Sequence, residues 1–395
     1  DYMTKVILMH NTKQTDLQYV ANTYGRFDVA LSGAKGATYT DEDGKDYIDL
    51  GTGIGVTAFG AGDPEWVAAV TAQLTTLGHT SNLYYTAPQA KLAQLLCEKT
   101  GMKKIFYGNS GAEANECALK VARRYGEATG RTTIVTLWNS FHGRTIATLT
   151  ATGQDVFHQF FGPFPEGFAY TPANDFEAFK AAVTPKTCAV MMEMIQGEGG
   201  VMALDKEFVQ QVAAYCHERD ILVIVDEVQT GIGRTGTLLA SEQFDIRPDI
   251  VTLAKGLGGG LPIGAVLMCK KVADVMGISS HGTTYGGNPV VCAGANVVLS
   301  KVNEELLADV RRKSAILREG LAKLPHVQEV SGLGLMVGIA FEEGVAAKDV
   351  LNACLDKGLM CLTAKTRLRL LPALVVSDEQ IAKALSVLNE VLTAM

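Results

Sequence analysis

Aromatic residues are scarce in this 395-residue chain, at 7% in total with only two tryptophans. Charge is also sparse: 19% of residues are charged against 47% hydrophobic, which excludes a disordered chain and supplies a sizeable core. Positive charge is not in excess, since 35 Lys and Arg stand against 42 Asp and Glu for a net charge of −7. The basic residues are scattered, which argues against a nucleic-acid footprint and a membrane-surface patch. The eight cysteines include no C-x-x-C pair and fit neither a disulfide scaffold nor a zinc module. Several, including Cys188 and Cys269, lie in apolar runs and read as reduced, buried thiols. His79 and His281 lack metal-ligand spacing, so no metal is expected. No apolar run approaches the roughly 18 residues of a spanning helix, and Asp1 to Lys13 lacks the apolar core of a secretory signal. A soluble, cytoplasmic protein without nucleic-acid or membrane partners is the expectation.

The length allows about two to three domains. Short apolar runs bounded by Gly, Pro or Asp recur at Thr132 to Leu137, Cys188 to Ile195, Ile221 to Val225, Ile250 to Leu253 and Ile263 to Met268. Their continuity predicts strands covered on both faces. Helical periodicity fills Ala112 to Tyr125 and Lys206 to Arg219 between them. The alternation predicts an α/β fold with a mostly parallel central sheet in a large domain over 51–288. From Pro289 to about Lys323 a long helical stretch follows, then alternating Val330 to Phe341 and Leu368 to Leu370, which read as a smaller α+β domain over 289–395. Residues 1–50 are assigned to that smaller domain; within them Thr38 to Leu50 reads as a hairpin around an Asp-Gly turn.

Chemistry is concentrated at strand ends. In ILVIVDEVQTG, five apolar residues run into Asp226, placing a carboxylate where open α/β sheets bind ligands. A structural Asp or a Walker B strand is the alternative, but the upstream Gly44-Lys45 pair is followed by Asp46, so no phosphate-binding Walker loop accompanies it. The run Ile250 to Ala254 ends in Lys255 and a glycine-rich stretch, a position suited to Schiff-base formation or, alternatively, to a solvated lysine before a flexible loop. A carboxylate one strand away is the partner that a pyridinium nitrogen requires, and the pair suggests pyridoxal 5'-phosphate. A phosphate cup is offered by Gly108-Asn109-Ser110-Gly111-Ala112 before a helix, although Ser110 also reads simply as an N-cap. Phe141 offers a ring face and Arg144 a carboxylate grip, with core packing and a surface ion pair as their alternatives. His142 reads as loop orientation, and Trp66 and Trp138 as core or interface residues.

The ordered motifs GTGIGVTAFG, NSGAEANE, SFHGRT, EMIQGEGG, DEVQTGIGRTG, AKGLGGGLPIGA and HGTTYGGNP span nearly the whole chain. Together they resemble the class III aminotransferases of the fold-type I pyridoxal-phosphate enzymes, and among these the branch acting on acylated ornithine. The resemblance implies a fold-type I architecture, Lys255 as the Schiff-base lysine and Asp226 as the partner of the ring nitrogen. It further implies that Gln229 contacts the ring hydroxyl, that Gly111 and Ala112 supply phosphate-binding amides, and that Phe141 stacks on the ring. Thr284 is implied to reach the phosphate of a neighbouring subunit's cofactor, which requires a homodimer. For substrates, it implies that Arg144 binds the donor's α-carboxylate near Thr283, and that Arg369 binds the α-carboxylate of glutamate. Glu198 is implied to pair with Arg369 while an ω-amine donor occupies the site. Met194 stands where relatives frequently carry Pro, a change that loosens the backbone before Glu198.

The implied reaction moves the terminal amine of N2-acetyl-L-ornithine to 2-oxoglutarate, in arginine biosynthesis. Ornithine, succinylornithine and 4-aminobutyrate are alternative donors, because pocket shape sets the discrimination. A mutase or racemase of the same fold would not depend on 2-oxoglutarate. A non-catalytic binding protein is disfavoured by the presence of Lys255, Asp226 and both arginines. A nicotinamide enzyme is disfavoured because Gly256 to Gly260 lacks the G-x-G-x-x-G spacing.

Overall fold

A computed structural model describes residues 12–395, so the expectation about a secretory signal falls largely outside the described residues. Near the N-terminus β1 (Leu31–Lys35), β2 (Thr38–Asp41) and β3 (Asp46–Asp49) form an antiparallel meander. The turn between β2 and β3 is tied by Asp41, whose Oδ1 accepts from Asp43 N at 3.0 Å and Lys45 N at 2.9 Å. Gly44 supplies its left-handed residue, with φ +83°.

The central sheet is built from β4 (Lys104–Gly108), β5 (Thr133–Leu137), β6 (Phe168–Thr171), β7 (Thr187–Met192), β10 (Leu222–Asp226), β11 (Ile250–Leu253) and β12 (Gly264–Met268). A separate ribbon pairs β8 (Ile195–Gln196) with β9 (Met202–Ala203). The spatial order of the large sheet is β4-β12-β11-β10-β7-β5-β6. Pairing is parallel from β6 through β5, β7 and β10 to β11. β12 is the exception, antiparallel to both of its neighbours. Only a short loop separates β11 from β12, too short for a crossover helix, so the chain must return antiparallel.

Every residue of β7, β10, β11 and β12 is buried, as continuous apolar runs require. The helix Gly111–Gly126 covers one face, packing Ala118 and Val121 among Ile134, Met191 and Ile224. On the other face, Val209 and Val212 of the helix Lys206–Glu218 meet Val190, Val223 and Val225. Alternate residues of each strand thus serve opposite cores.

The long helix expected from Pro289 to Lys323 is two helices, Pro289–Lys301 and Glu304–Leu321. The break has a local cause: Asn303 leaves helical geometry and its side chain caps the second helix by accepting from Leu306 N at 2.9 Å. The first of the two packs against the helices Pro64–Thr76 and Ala87–Thr100. Towards the C-terminus, β13 (Val327–Leu333), β14 (Met336–Phe341), β16 (Leu362–Ala364) and β17 (Arg367–Leu370) form an antiparallel sheet in the order β13-β14-β17-β16. The short β15 (Leu359–Met360) instead pairs parallel with β3, joining the N-terminal meander to the C-terminal segment. Arg234, buried in the loop after β10, donates to the carbonyls of Leu335 and Pro372 and fastens that segment to the loop. Cys188 is buried as expected, whereas Cys269 is half-buried, because it lies just past the end of β12. Among the described residues no helix is long and apolar enough to cross a membrane.

Candidate active site

Asp226 is the last residue of β10 and Lys255 follows the end of the adjacent β11, so both charges emerge at one edge of the sheet. They line a cavity of about 450 Å³ that Ser110, Gly111, Ala112, Phe141, Arg144 and Gln229 also line. That volume is within the range of small-molecule sites. Burial pushes the Lys255 ammonium down from 10.5 to about 8; Arg369 acts in the same direction, while Glu198, Asp226 and Glu193 oppose it. A lysine so poised exists in part as a neutral amine near neutral pH, as a nucleophile or base requires.

Asp226 is only 4% exposed and fully engaged. Its Oδ2 accepts from Asn115 Nδ2 at 2.8 Å and lies 2.8 Å from His142 Nδ1, and its Oδ1 accepts from Val228 N at 3.0 Å. Asn115 also donates to the His142 carbonyl at 2.7 Å, closing a three-residue network. His142 therefore does more than orient its loop: buried, it holds the carboxylate while its Nε2 has no partner among the described residues. Asn115 escaped the sequence reading. The signal available was a single Asn among Ala114, Cys117, Ala118 and Leu119 on the buried face of its helix.

Glu193 is a second omission. It lines the cavity, is 6% exposed, and accepts from Phe141 N at 3.1 Å. Burial, and then the negative charge of Asp226, push its carboxyl well above the ordinary range. Met194 next to it is fully buried among Val190, Met192 and Phe208, and its carbonyl accepts from Leu204 N at 2.9 Å. Packing and a backbone bond thus fix the segment that lacks the proline.

The phosphate-cup region is a capped helix start. Ser110 Oγ accepts from Glu113 N at 3.1 Å, and Glu113 reaches back to Asn109 N. Ala114 N bonds to the Ser110 carbonyl at 3.0 Å, leaving the Gly111 and Ala112 amides without protein acceptors among the described residues. Those amides and the helix dipole favour an anion. Gly264 is required opposite, since a Cβ there would lie 2.2 Å from the Ser110 carbonyl oxygen.

Glu198 and Arg369 do not line this cavity, but they pair with each other, Oε1 to Nη1 at 2.6 Å, with the arginine side chain 4% exposed. Arg369 Nη1 is also 3.5 Å from Gln229 Oε1, which links the pair to the cavity wall. Arg144 differs: exposed, it lies over the ring of Phe157 at 4.1 Å, and no carboxylate pairs with it among the described residues. Thr283 does not reach the cavity either; its Oγ1 accepts from Asn109 Nδ2 at 3.3 Å and Gly286 N at 3.1 Å. Thr284 is exposed and stands apart from this chain's own cavity.

The family profile described as Aminotransferase class-III matches residues 19–392. The chain belongs to the class-III aminotransferases. Among its relatives, the acetylornithine aminotransferase of Haemophilus ducreyi is 53% identical over 387 residues, covering 97% of this chain and 98% of the relative. Among solved structures, the ornithine aminotransferase of Toxoplasma gondii, with PLP in partial occupancy at its active site, superposes with a TM-score of 0.92 at 30% identity, covering 100% of this chain and 97% of that one. The N-acetylornithine aminotransferase of Stenotrophomonas maltophilia gives a TM-score of 0.83 at 37% identity, covering 96% and 98% respectively. In this class-III aminotransferase, as expected for fold-type I, the cavity opens at the carboxyl ends of the parallel strands.

Proposed function

We propose that this class-III aminotransferase moves the terminal amino group of N2-acetyl-L-ornithine to 2-oxoglutarate, giving N-acetyl-L-glutamate 5-semialdehyde and L-glutamate. This is a cytoplasmic step of arginine biosynthesis. The observation that carries the reading is the contrast between two arginines: Arg369 is closed by Glu198 at 2.6 Å, while Arg144 has no carboxylate partner among the described residues. A donor with a free terminal amine and a distal α-carboxylate suits the open Arg144. Glutamate, whose α-carboxylate adjoins its reacting amine, suits Arg369 once Glu198 withdraws. The names of relatives at 53% and 37% identity support the same donor.

The residues present fit pyridoxal 5'-phosphate. The unsatisfied Gly111 and Ala112 amides suit its phosphate, the buried Asp226 a protonated ring nitrogen, Phe141 the ring face, Gln229 the ring oxygen and Lys255 its carbonyl carbon. When bound, the cofactor supplies an electron sink for the carbanion formed at the donor carbon. Asn115 and His142 hold Asp226 in place and keep water from it. Lys255 Nζ, neutral in part, takes the proton from the donor carbon. Arg144 holds the α-carboxylate away from the reacting centre, so that the terminal carbon is the one within reach of Lys255.

Two organisational proposals accompany this reading. The chain divides into a large domain over 51–288 and a small domain made of 1–50 and 289–395. It works as a homodimer in which Thr284 serves the partner's phosphate. Exposed Leu83, Tyr84, Tyr85 and Tyr285 support a second copy at this face, and Asn82 joins the two loops by donating to the Gly286 carbonyl at 3.0 Å.

The test is the visible absorbance of the cofactor-loaded protein on addition of N-acetylornithine, ornithine or 4-aminobutyrate. The proposal expects the fastest bleaching with N-acetylornithine. Faster bleaching by either other donor would move the substrate, and a protein that acquires no visible band with added cofactor would overturn the role of Lys255.

A further inference from the structure

Arg144 is an exposed, long side chain that must present a planar fork to a carboxylate, and a flexible guanidinium loses entropy each time it does so. What holds it is aromatic. Its guanidinium carbon lies 4.1 Å from the centroid of Phe157 and 5.4 Å from that of Phe141. The two rings meet edge to face, 5.8 Å apart at 77°. Lying over the Phe157 ring, the guanidinium keeps N–H donors free for a ligand, whereas an ion pair would consume them.

Phe157 is itself anchored. It closes a short turn, Asp155–Phe157, with its amide bonded to the Gln154 carbonyl at 3.0 Å. Gln154 Nε2 donates to the Ser140 carbonyl at 2.8 Å, and Gly153 N donates to Ser140 Oγ at 2.9 Å, which straps the turn to the loop that bears Phe141. Gly153 permits this approach, since a Cβ there would lie 2.1 Å from the Leu137 carbonyl oxygen. His158 Nε2, 2.8 Å from the Leu149 carbonyl oxygen, ties down the far side.

We propose that Phe157 is a positioning residue that sets donor specificity: its ring holds Arg144 in readiness for the donor's α-carboxylate. The inference rests on the reading of Arg144 as that carboxylate grip. Phe157 acts on the ligand only through Arg144, so a donor without an α-carboxylate does not depend on it.

The experiment compares the cofactor-loaded wild-type enzyme with Phe157→Leu, Phe157→Tyr and Arg144→Ala. Leu keeps apolar bulk and removes the π face, whereas Tyr keeps the face. Loss of a cation–π contact corresponds to a rise of about 3- to 10-fold in KM for N-acetylornithine in Phe157→Leu, with kcat changed less than about twofold. The same rise is expected in the calorimetric Kd of N-acetyl-L-norvaline, an unreactive ligand that keeps the α-carboxylate and lacks the terminal amine. The kcat/KM for N-acetylputrescine, which has no α-carboxylate, stays unchanged, and Phe157→Tyr restores wild-type values. The inference is overturned if Phe157→Leu leaves both KM and Kd at wild-type values, or weakens N-acetylputrescine equally. Arg144→Ala separates the two levels. If it leaves the affinity for N-acetyl-L-norvaline intact, the reading of Arg144 fails. If it abolishes that affinity while Phe157→Leu does not reduce it, only the role of Phe157 fails.

Discussion

Replacing Glu198 by Gln shifts the balance between the two substrates by an amount that the structure allows one to estimate. The carboxylate meets Arg369 at 2.6 Å, and the arginine side chain is 4% exposed while that of Glu198 is 28% exposed. Removing one partner of a fully buried pair costs about 3–5 kcal/mol. Solvent screening at the half-open Glu198 lowers this to roughly 1–3 kcal/mol. Arg369 Nε already lacks a partner, so the variant leaves a cation that only an incoming carboxylate can satisfy. Glutamate no longer has to displace Glu198, and its half-reaction gains roughly 5- to 150-fold in kcat/KM over that of N-acetylornithine. Stopped-flow absorbance of each half-reaction, run separately on cofactor-loaded protein, reads this ratio. A ratio within twofold of wild type would refute the gate. So would a gain for N-acetylornithine.

Three further outcomes follow from the buried charges and close contacts. The Lys255 ammonium falls from 10.5 to about 8 in the fold, so below pH 8 the unfolded chain binds the proton more readily and the charged lysine costs roughly 3 kcal/mol. Cofactor-free Lys255→Met is therefore more stable than cofactor-free wild type at pH 7, and the difference shrinks as pH rises from 8 towards 10.5; equal melting curves at both ends would contradict this. Glu193 shifts upward, so wild-type stability falls as pH rises past the ordinary carboxyl range; Glu193→Gln should melt higher than wild type at pH 8 and close to it at pH 4.5, as calorimetry can check. Gly264→Ala drives a Cβ to 2.2 Å from the Ser110 carbonyl oxygen, and relief by backbone movement costs about 1–3 kcal/mol. Weaker cofactor retention, measured by fluorescence titration, should accompany the lower melting temperature.

What could be read from the sequence was what is local to it. Apolar runs broken by one charge located Asp226 and Lys255 at adjacent strand ends, because strand burial and strand termination leave their mark within a few residues. The Ser110 helix start was legible for the same reason. The support of Asp226 was not, since Asn115 and His142 come from a helix and a loop far away in the chain and meet only when the sheet has formed. The upward shift of the Glu193 carboxyl likewise depends on a burial that no periodicity announces and on Asp226. The reversed direction of β12 follows from a loop length, and the helix break at Asn303 from one side-chain cap; both are weaker in sequence than the apolar pattern running through them.

Nitrogen transfer itself provides the most direct test. N-acetylornithine carrying 15N only at its terminal amine would be incubated with cofactor-loaded enzyme and 2-oxoglutarate, and the products read by mass spectrometry. The account predicts 15N in glutamate, one equivalent for each equivalent of semialdehyde; with 2-oxoglutarate omitted, no glutamate forms and semialdehyde stops at one equivalent per active site. Unlabelled glutamate, or semialdehyde formed catalytically without 2-oxoglutarate, would contradict it.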